Sequence, residues 1–211
     1  MHNSTLFFRD GDPFWTLRDQ VIPELSKRRN RILQIWSAGC STGQEAYSLA
    51  MMTESHPALR DWKVTIHASD LEEPVLRQAE VGSYTASEVR WIPEPLLNRY
   101  FVRRGANFTA GPDVRRGVKF SMFDLSGQWP DSPQMDVIFA RNVLIYVKNQ
   151  EKVIQRIREK LAPDGYLFVG LGPLASPQLE DFWEGFSPRF SPKSCCFVRD
   201  DFPGSSEGRN S

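Results

Sequence analysis

Short apolar runs alternate with longer amphipathic ones along the chain. Residues 32–36, Ile-Leu-Gln-Ile-Trp, have the length of a buried strand, and residues 45–52 after them favour a helix. Residues 64–68 predict a second strand that ends in Ser69-Asp70. Residues 72–82 predict a helix with Pro74 in its first turn and Gly82 as its C-cap. Residues 118–122 and 135–140 are the third and fourth strand candidates. From Asn149 an amphipathic helix carries Val153, Ile154, Ile157 and Leu161 on one face, and Pro163-Asp164-Gly165 ends it. Residues 166–170 and 194–199 complete the strand candidates. Repeated β-α units of this kind predict an α/β domain: a mostly parallel sheet with helices on both faces.

Two stretches break the rhythm. Residues 90–117 combine Trp91, Pro93 and Pro95 with basic pairs at Arg103-Arg104 and Arg115-Arg116, and predict a helix followed by a hairpin-like insert at the sheet edge. Residues 203–211 are polar and rich in Gly and Ser, so a disordered tail is expected after a domain spanning 1–202. The 26 basic and 26 acidic residues cancel, which gives no global field toward nucleic acid or a membrane surface. No apolar run has membrane-spanning length, and the first residues lack the pattern of a secretory signal, so a cytoplasmic protein is expected. Three cysteines and three scattered histidines give no metal-ligand spacing, and no bound metal is expected.

The chemistry concentrates in the small-residue turn Ser37-Ala38-Gly39-Cys40-Ser41-Thr42-Gly43 between the first strand and its helix. Turns at this place build nucleotide-type pockets, and Gly39 and Gly43 are expected to let a ligand approach the backbone. The pattern G-x-G-x-x-G is missing, as is the phosphate loop of ATPases. Glu45 falls where a pyrophosphate would meet the helix N-terminus and would repel it. A lone carboxylate there suits a cationic ligand such as S-adenosylmethionine, which has a sulfonium and an ammonium and no phosphate. Asp70, after the second strand, is placed for ribose hydroxyls or, alternatively, for capping the next helix. Asp124 is either at the edge of an adenine or a turn residue before Gly127. Arg141-Asn142 lies over the switch point of the sheet or forms an ordinary solvated loop.

Four segments then carry a resemblance: Asn3-Ser4-Thr5-Leu6-Phe7-Phe8-Arg9, Trp36 to Ser48, Ala68-Ser69-Asp70, and Ile138 to Tyr146. In this order they resemble the chemotaxis receptor methyltransferases, which methylate glutamate side chains of bacterial chemoreceptors with S-adenosylmethionine. The resemblance runs from residue 3 to about 170. It implies a Rossmann-like class I methyltransferase fold, with a seven-stranded sheet and a small β insert around 100–119. It implies that Asn3, Thr5 and Arg9 close over the cofactor, that Glu45 takes its amino group and that Asp70 takes its ribose. Asp124 and Leu125 would flank the adenine, and Arg141 and Asn142 would line the other side. Arg9 and Tyr146 would flank the reacting methyl as catalytic residues; read without the resemblance, they are a surface ion pair with Asp10 or Asp12 and a rim aromatic.

The implied partner is a chemoreceptor cytoplasmic domain, with S-adenosylhomocysteine as product and a monomeric enzyme. In the family the insert can also tether a receptor peptide by adding a strand at its edge; here 101–119 could do so or stand as a solvated basic hairpin. Three departures stand out, one of them Gln44-Glu45-Ala46-Tyr47 in place of a family Glu-Glu-Pro-Tyr, which keeps Glu45 and so leaves cofactor binding expected. The family's small helical domain before Asn3 is absent from this sequence, which leaves the arm bearing Asn3, Thr5 and Arg9 expected to fray. The loop Gly170-Leu171-Gly172-Pro173 replaces a polar family motif. Two alternatives follow: methyl transfer to another protein or small-molecule carboxylate, and a non-catalytic module that only binds S-adenosylmethionine.

Overall fold

A computed structural model of the chain describes residues 5–129, 133–170 and 185–201. Ahead of the first strand, Asp12–Thr16 (α1), a π turn at Leu17–Val21 and Ile22–Leu25 (α2) run on as one helical segment. Pro23 has no N–H to give the ladder, and the helix widens to its π turn just before it. The first apolar run forms β1 (Ile32–Ala38), followed by α3 (Gln44–Ser55), β2 (Lys63–Asp70) and α4 (Glu73–Val81). Gly82 ends α4 in the left-handed region, at φ 61°.

The region that broke the rhythm then follows. It contains β3 (Ser83–Thr85), α5 (Ala86–Val89), α6 (Glu94–Tyr100), β4 (Phe101–Arg104), β5 (Asn107–Ala110) and α7 (Pro112–Arg116). The chain returns to the main sheet through β6 (Val118–Met122) and β7 (Met135–Ala140), continues as α8 (Gln150–Lys160) and β8 (Leu161–Val169), and ends in β9 (Phe186–Arg189) and β10 (Cys196–Arg199).

The main sheet has the order β6-β2-β1-β7-β8-β10-β9. From β6 to β8 all pairings are parallel; β10 is antiparallel to both of its neighbours. This is the seven-stranded, mostly parallel sheet of the class I methyltransferase fold, and its order reverses between β1 and β7. Alternate residues feed two cores. Ile35, Phe139 and Phe168 join the cluster that contains Phe14 and Tyr47, whereas Trp36, Ile138 and Leu167 join Val153, Ile154 and Ile157 of α8. The period of two along the strands therefore fills both faces.

Several expectations need correction. The insert is wider and its hairpin shorter: β3, β5 and β4 form a three-stranded antiparallel sheet, the hairpin ends at Ala110, and 112–116 is a helix instead of hairpin. Leu161, assigned to the apolar face of the amphipathic helix, is the first residue of β8. That strand absorbs Pro163-Asp164-Gly165 as an irregularity, since Met135 pairs with Leu161 while Val137 pairs with Tyr166. The arm does not fray at Phe7 and Phe8, which are 1% and 7% exposed. Phe7 packs edge-on against Tyr84 and Phe101 of the small sheet, with ring centroids at 4.9 and 5.6 Å. The expected tail at 203–211 lies outside the described residues.

Candidate functional site

The turn after β1 is shaped by its backbone. Gly39, Ser41 and Gly43 all have positive φ, at 76°, 50° and 92°. Gly39 N–H and Cys40 N–H both donate to the carbonyl of Ser69 at the end of β2, at 2.8 and 2.9 Å. The expectation that the two glycines clear a path for a ligand is corrected by their surroundings. A Cβ on Gly39 would lie 2.6 Å from Val143 Cγ2, and one on Gly43 would lie 2.9 Å from Ala79 Cβ. The space they leave is filled by protein, and their function is to let the turn pack between α4 and the loop after β7. Tyr84 Oη completes the support by donating to Thr42 O at 2.7 Å.

Asp70 sits at the carboxyl end of β2, beside that turn. Its Oδ2 accepts from Ser41 N–H at 2.8 Å, and its Oδ1 accepts from Glu72 N–H at 3.1 Å. The carboxylate thus ties the glycine turn to the entrance of α4. Asp124 is exposed and uses Oδ1 to accept from Ser126 N–H at 2.8 Å, the turn geometry that its position before Gly127 allowed. Leu125 beside it is buried, in the cluster where Trp36 and Trp129 meet edge-on at 5.2 Å. Trp36 Nε1 donates to Ser69 Oγ at 2.9 Å.

Glu45 and Arg141 are coupled. Glu45 Oε1 accepts from Ser37 Oγ at 2.7 Å, and Oε2 faces Arg141 Nη1 at 3.4 Å. Arg141 Nη2 donates to Arg9 O and to Asp10 Oδ2, both at 2.7 Å, and its guanidinium lies 5.4 Å from the Phe14 ring centre. The arginine side chain is 3% exposed and that of Glu45 13%. Two readings are corrected here. Glu45 is not a lone carboxylate, and Arg141 is a buried link between arm and pocket instead of part of a solvated loop. Burial pushes the Glu45 carboxyl above its ordinary range, and Arg141, the Ser37 hydrogen bond and Arg9 oppose that rise. Burial raises the Cys40 thiol too, with Asp70 and Glu45 adding to it, so this cysteine is no nucleophile at neutral pH.

Arg9 is 41% exposed at its side chain and pairs loosely with Asp10, Nε to Oδ2 at 3.9 Å, so the surface ion pair is present. Its influence still reaches Glu45. Thr5 lies half-buried on the arm, and Asn3 lies outside the described residues, as does Leu171-Gly172-Pro173. Asn142 is left-handed at φ 56°, and a Cβ on Gly170 would come within 3.0 Å of its backbone N, so the ends of β7 and β8 approach closely there. Tyr146 ends a short 3-10 turn at Leu144–Tyr146 and is 56% exposed.

Thus Arg9, Glu45, Asp70, Asp124, Leu125, Arg141, Asn142 and Tyr146 all follow carboxyl ends of strands around the β1/β7 reversal, or sit on the arm tied to it. Open α/β sheets bind ligands at such a crevice. Ser37 and Tyr84 belong to the same architecture and were not anticipated as site residues, nor was the bond from Arg141 to Asp10. Ser37 carried a signal, as a hydroxyl near the end of a strand whose one other polar residue is Gln34; for Tyr84, 42 residues downstream of Thr42, no local pattern could have found it.

Comparison with known sequences decides the family. Residues 3–183 match the family described as "CheR methyltransferase, SAM binding domain". This chain belongs to that family. The four segments of the resemblance all lie within the matched span. A curated CheR-family relative, Chemotaxis protein methyltransferase Cher2 of Pseudomonas putida, is 36% identical over 177 residues, covering 80% of this chain and 64% of the relative. Chemotaxis protein methyltransferase 1 of Pseudomonas aeruginosa is 39% identical over 177 residues, covering 80% of this chain and 65% of the relative. The chain therefore spans just under two thirds of these relatives. Among solved structures, PKMT2 from Rickettsia typhi in complex with AdoHcy aligns with a TM-score of 0.48 at 14% identity, over 80% of this chain and 26% of the other.

Proposed function

We propose that this CheR-family domain transfers a methyl group from S-adenosylmethionine to glutamate side-chain carboxylates of a chemoreceptor's cytoplasmic domain, as a monomer in the cytoplasm. The observation that carries the reading is the placing of Glu45 and Asp70 at the carboxyl ends of β1 and β2. Each is fixed by hydrogen bonds from Ser37 or from backbone N–H groups. A sulfonium nucleoside with a free ammonium needs carboxylate acceptors. The long 3.4 Å contact to Arg141 leaves Glu45 with acceptor capacity, so the residues present fit that ligand.

When bound, S-adenosylmethionine supplies a methyl group activated on sulfur. In this reading Glu45 holds the ammonium, Asp70 the ribose hydroxyls, and Asp124 with Leu125 the adenine edge. Asn3 and Thr5 close the site from the arm, and Arg141 and Asn142 line its far wall. Arg9, half exposed at the rim, presents a planar fork to the incoming carboxylate, and Tyr146 orients it without adding charge. No general base is needed, because a glutamate side chain with a reference pKa of about 4.3 is already ionised at neutral pH. Transfer joins opposite charges, so exclusion of water assists it, and alignment of the reactants is the protein's main contribution. The open edge of β4, with Val102 exposed beside Arg103 and Arg104, supports tethering of an extended peptide there.

The test is transfer of labelled methyl to a receptor cytoplasmic fragment, in a linkage released by mild base. Glu45→Gln should weaken S-adenosylhomocysteine binding by roughly 10- to 100-fold, the loss of one charge-assisted hydrogen bond. Label that resists base, or that goes to free carboxylic acids and not to the fragment, would displace this reading.

A further inference from the structure

The other end of the sheet carries an unassigned feature. In a chain of zero net charge, Lys27-Arg28-Arg29-Asn30-Arg31 is a dense basic run. It enters β1 at the amino end, the pole opposite the carboxyl-end crevice. There it faces the loop that enters β2, and a cleft of about 420 Å³ opens between the two loops. Among the described residues Arg28, Arg29, Arg31 and Arg60 line it against one acid, Asp61, and Trp62 forms part of its wall.

The four arginines differ in how they are held. Arg28 is committed to the fold: it is 18% exposed, bonds to Asp136, and reaches Asp164 Oδ2 at 2.7 Å and Asp164 O at 3.0 Å. Arg31 meets Asp61 at 3.7 Å with both side chains more than half exposed, a weak and screened pair. Arg29 and Arg60 are exposed and have no ion pair among the described residues. Trp62 is half-buried and packs on the core, which fixes the loop that carries Arg60 and Asp61.

We propose that this cleft is a binding site for a small ligand bearing a di- or triphosphate group. Guanidinium forks match phosphate oxygens two at a time, and Arg29 and Arg60 approach from separate loops with no ion pair to any described residue. The volume falls in the range of small-molecule sites. A concave cleft between two anchored loops favours a compact polyanion over an extended acidic chain, which would seek a flat basic surface. The site is independent of the methyl-transfer reading, since none of its residues belongs to the carboxyl-end crevice.

The experiment is titration calorimetry of the full chain with inorganic pyrophosphate and with ADP, at about 0.15 M salt where surface charges are screened beyond about 8 Å. Both probes should bind with dissociation constants below about 1 mM. The double variant Arg29→Ala/Arg60→Ala should weaken both at least tenfold and leave S-adenosylhomocysteine binding unchanged. The control double variant Arg77→Ala/Arg116→Ala removes the same charge from exposed pairs elsewhere and should leave both probes unaffected. Absence of saturable binding would overturn the proposal. So would equal weakening in the control, or tighter binding of a glutamate-rich peptide than of either phosphate.

Discussion

Arg141→Ala tests whether the arm and the pocket are held by one buried cation. The side chain is 3% exposed and bridges Glu45, Asp10 and the carbonyl of Arg9. Removing one partner of a buried pair costs about 3–5 kcal/mol, because the remaining charge stays buried without compensation. Contact with the Phe14 ring contributes on the order of 1 kcal/mol within that total. Asp10 is half exposed and is rehydrated on release, so the cost falls chiefly on Glu45.

That assignment has a pH signature. Burial already raises the Glu45 carboxyl, and loss of Arg141, which opposes the rise, lifts it further. A carboxyl whose folded pKa exceeds its unfolded one binds its proton more tightly in the folded state, so its contribution is lost as pH rises through the folded value. The deficit should therefore be larger at pH 8 than at pH 5 in urea denaturation. In a Glu45→Gln background it should shrink by more than about 1 kcal/mol, a coupling of the size expected for contacting residues. A deficit under about 1 kcal/mol, or one equal at both pH values and in both backgrounds, would refute the argument.

Gly39→Ala should destabilise by more than the roughly 1–2 kcal/mol of a left-handed alanine, since its Cβ would overlap Val143; thermal melting of the double variant with Val143→Ala should recover the Cγ2 part of the overlap and leave the Cβ contact and the backbone cost. Tyr84→Phe removes the hydroxyl that satisfies Thr42 O and should cost about 1–3 kcal/mol in denaturant titrations, with amide exchange speeding up across 39–43. His67 is held below the usual histidine range by burial and by Lys119 and Lys160, so the folded state binds its proton less readily than the unfolded one. Stability should therefore fall as pH drops below about 6.5, and His67→Gln should flatten that slope in melts between pH 5 and 7.

The strands of the parallel half were legible because burial on both faces writes near-continuous apolar runs, as in 32–36 and 135–140. Glu45 and Asp70 were legible because their places follow from strand ends. The helix at 12–25 escaped notice, since a π turn and Pro23 interrupt its period. Strand β9 escaped too: four residues that include Pro188 give no alternation to read. The coupling of Glu45 to Arg141 could not be seen, because nearly a hundred residues separate two groups that only the β1/β7 adjacency brings together. A carboxylate that looks isolated in sequence is therefore open to neutralisation from any strand that comes to lie beside it.

The edge-to-face trio of Phe7, Tyr84 and Phe101 has a practical consequence for anyone wishing to shorten or graft the insert. Excising the hairpin at 101–110 would remove one ring that the N-terminal segment rests on and loosen another that props the glycine loop. Insert and glycine turn are thus one mechanical unit, and strain applied to the outer strand would be felt at the turn after β1.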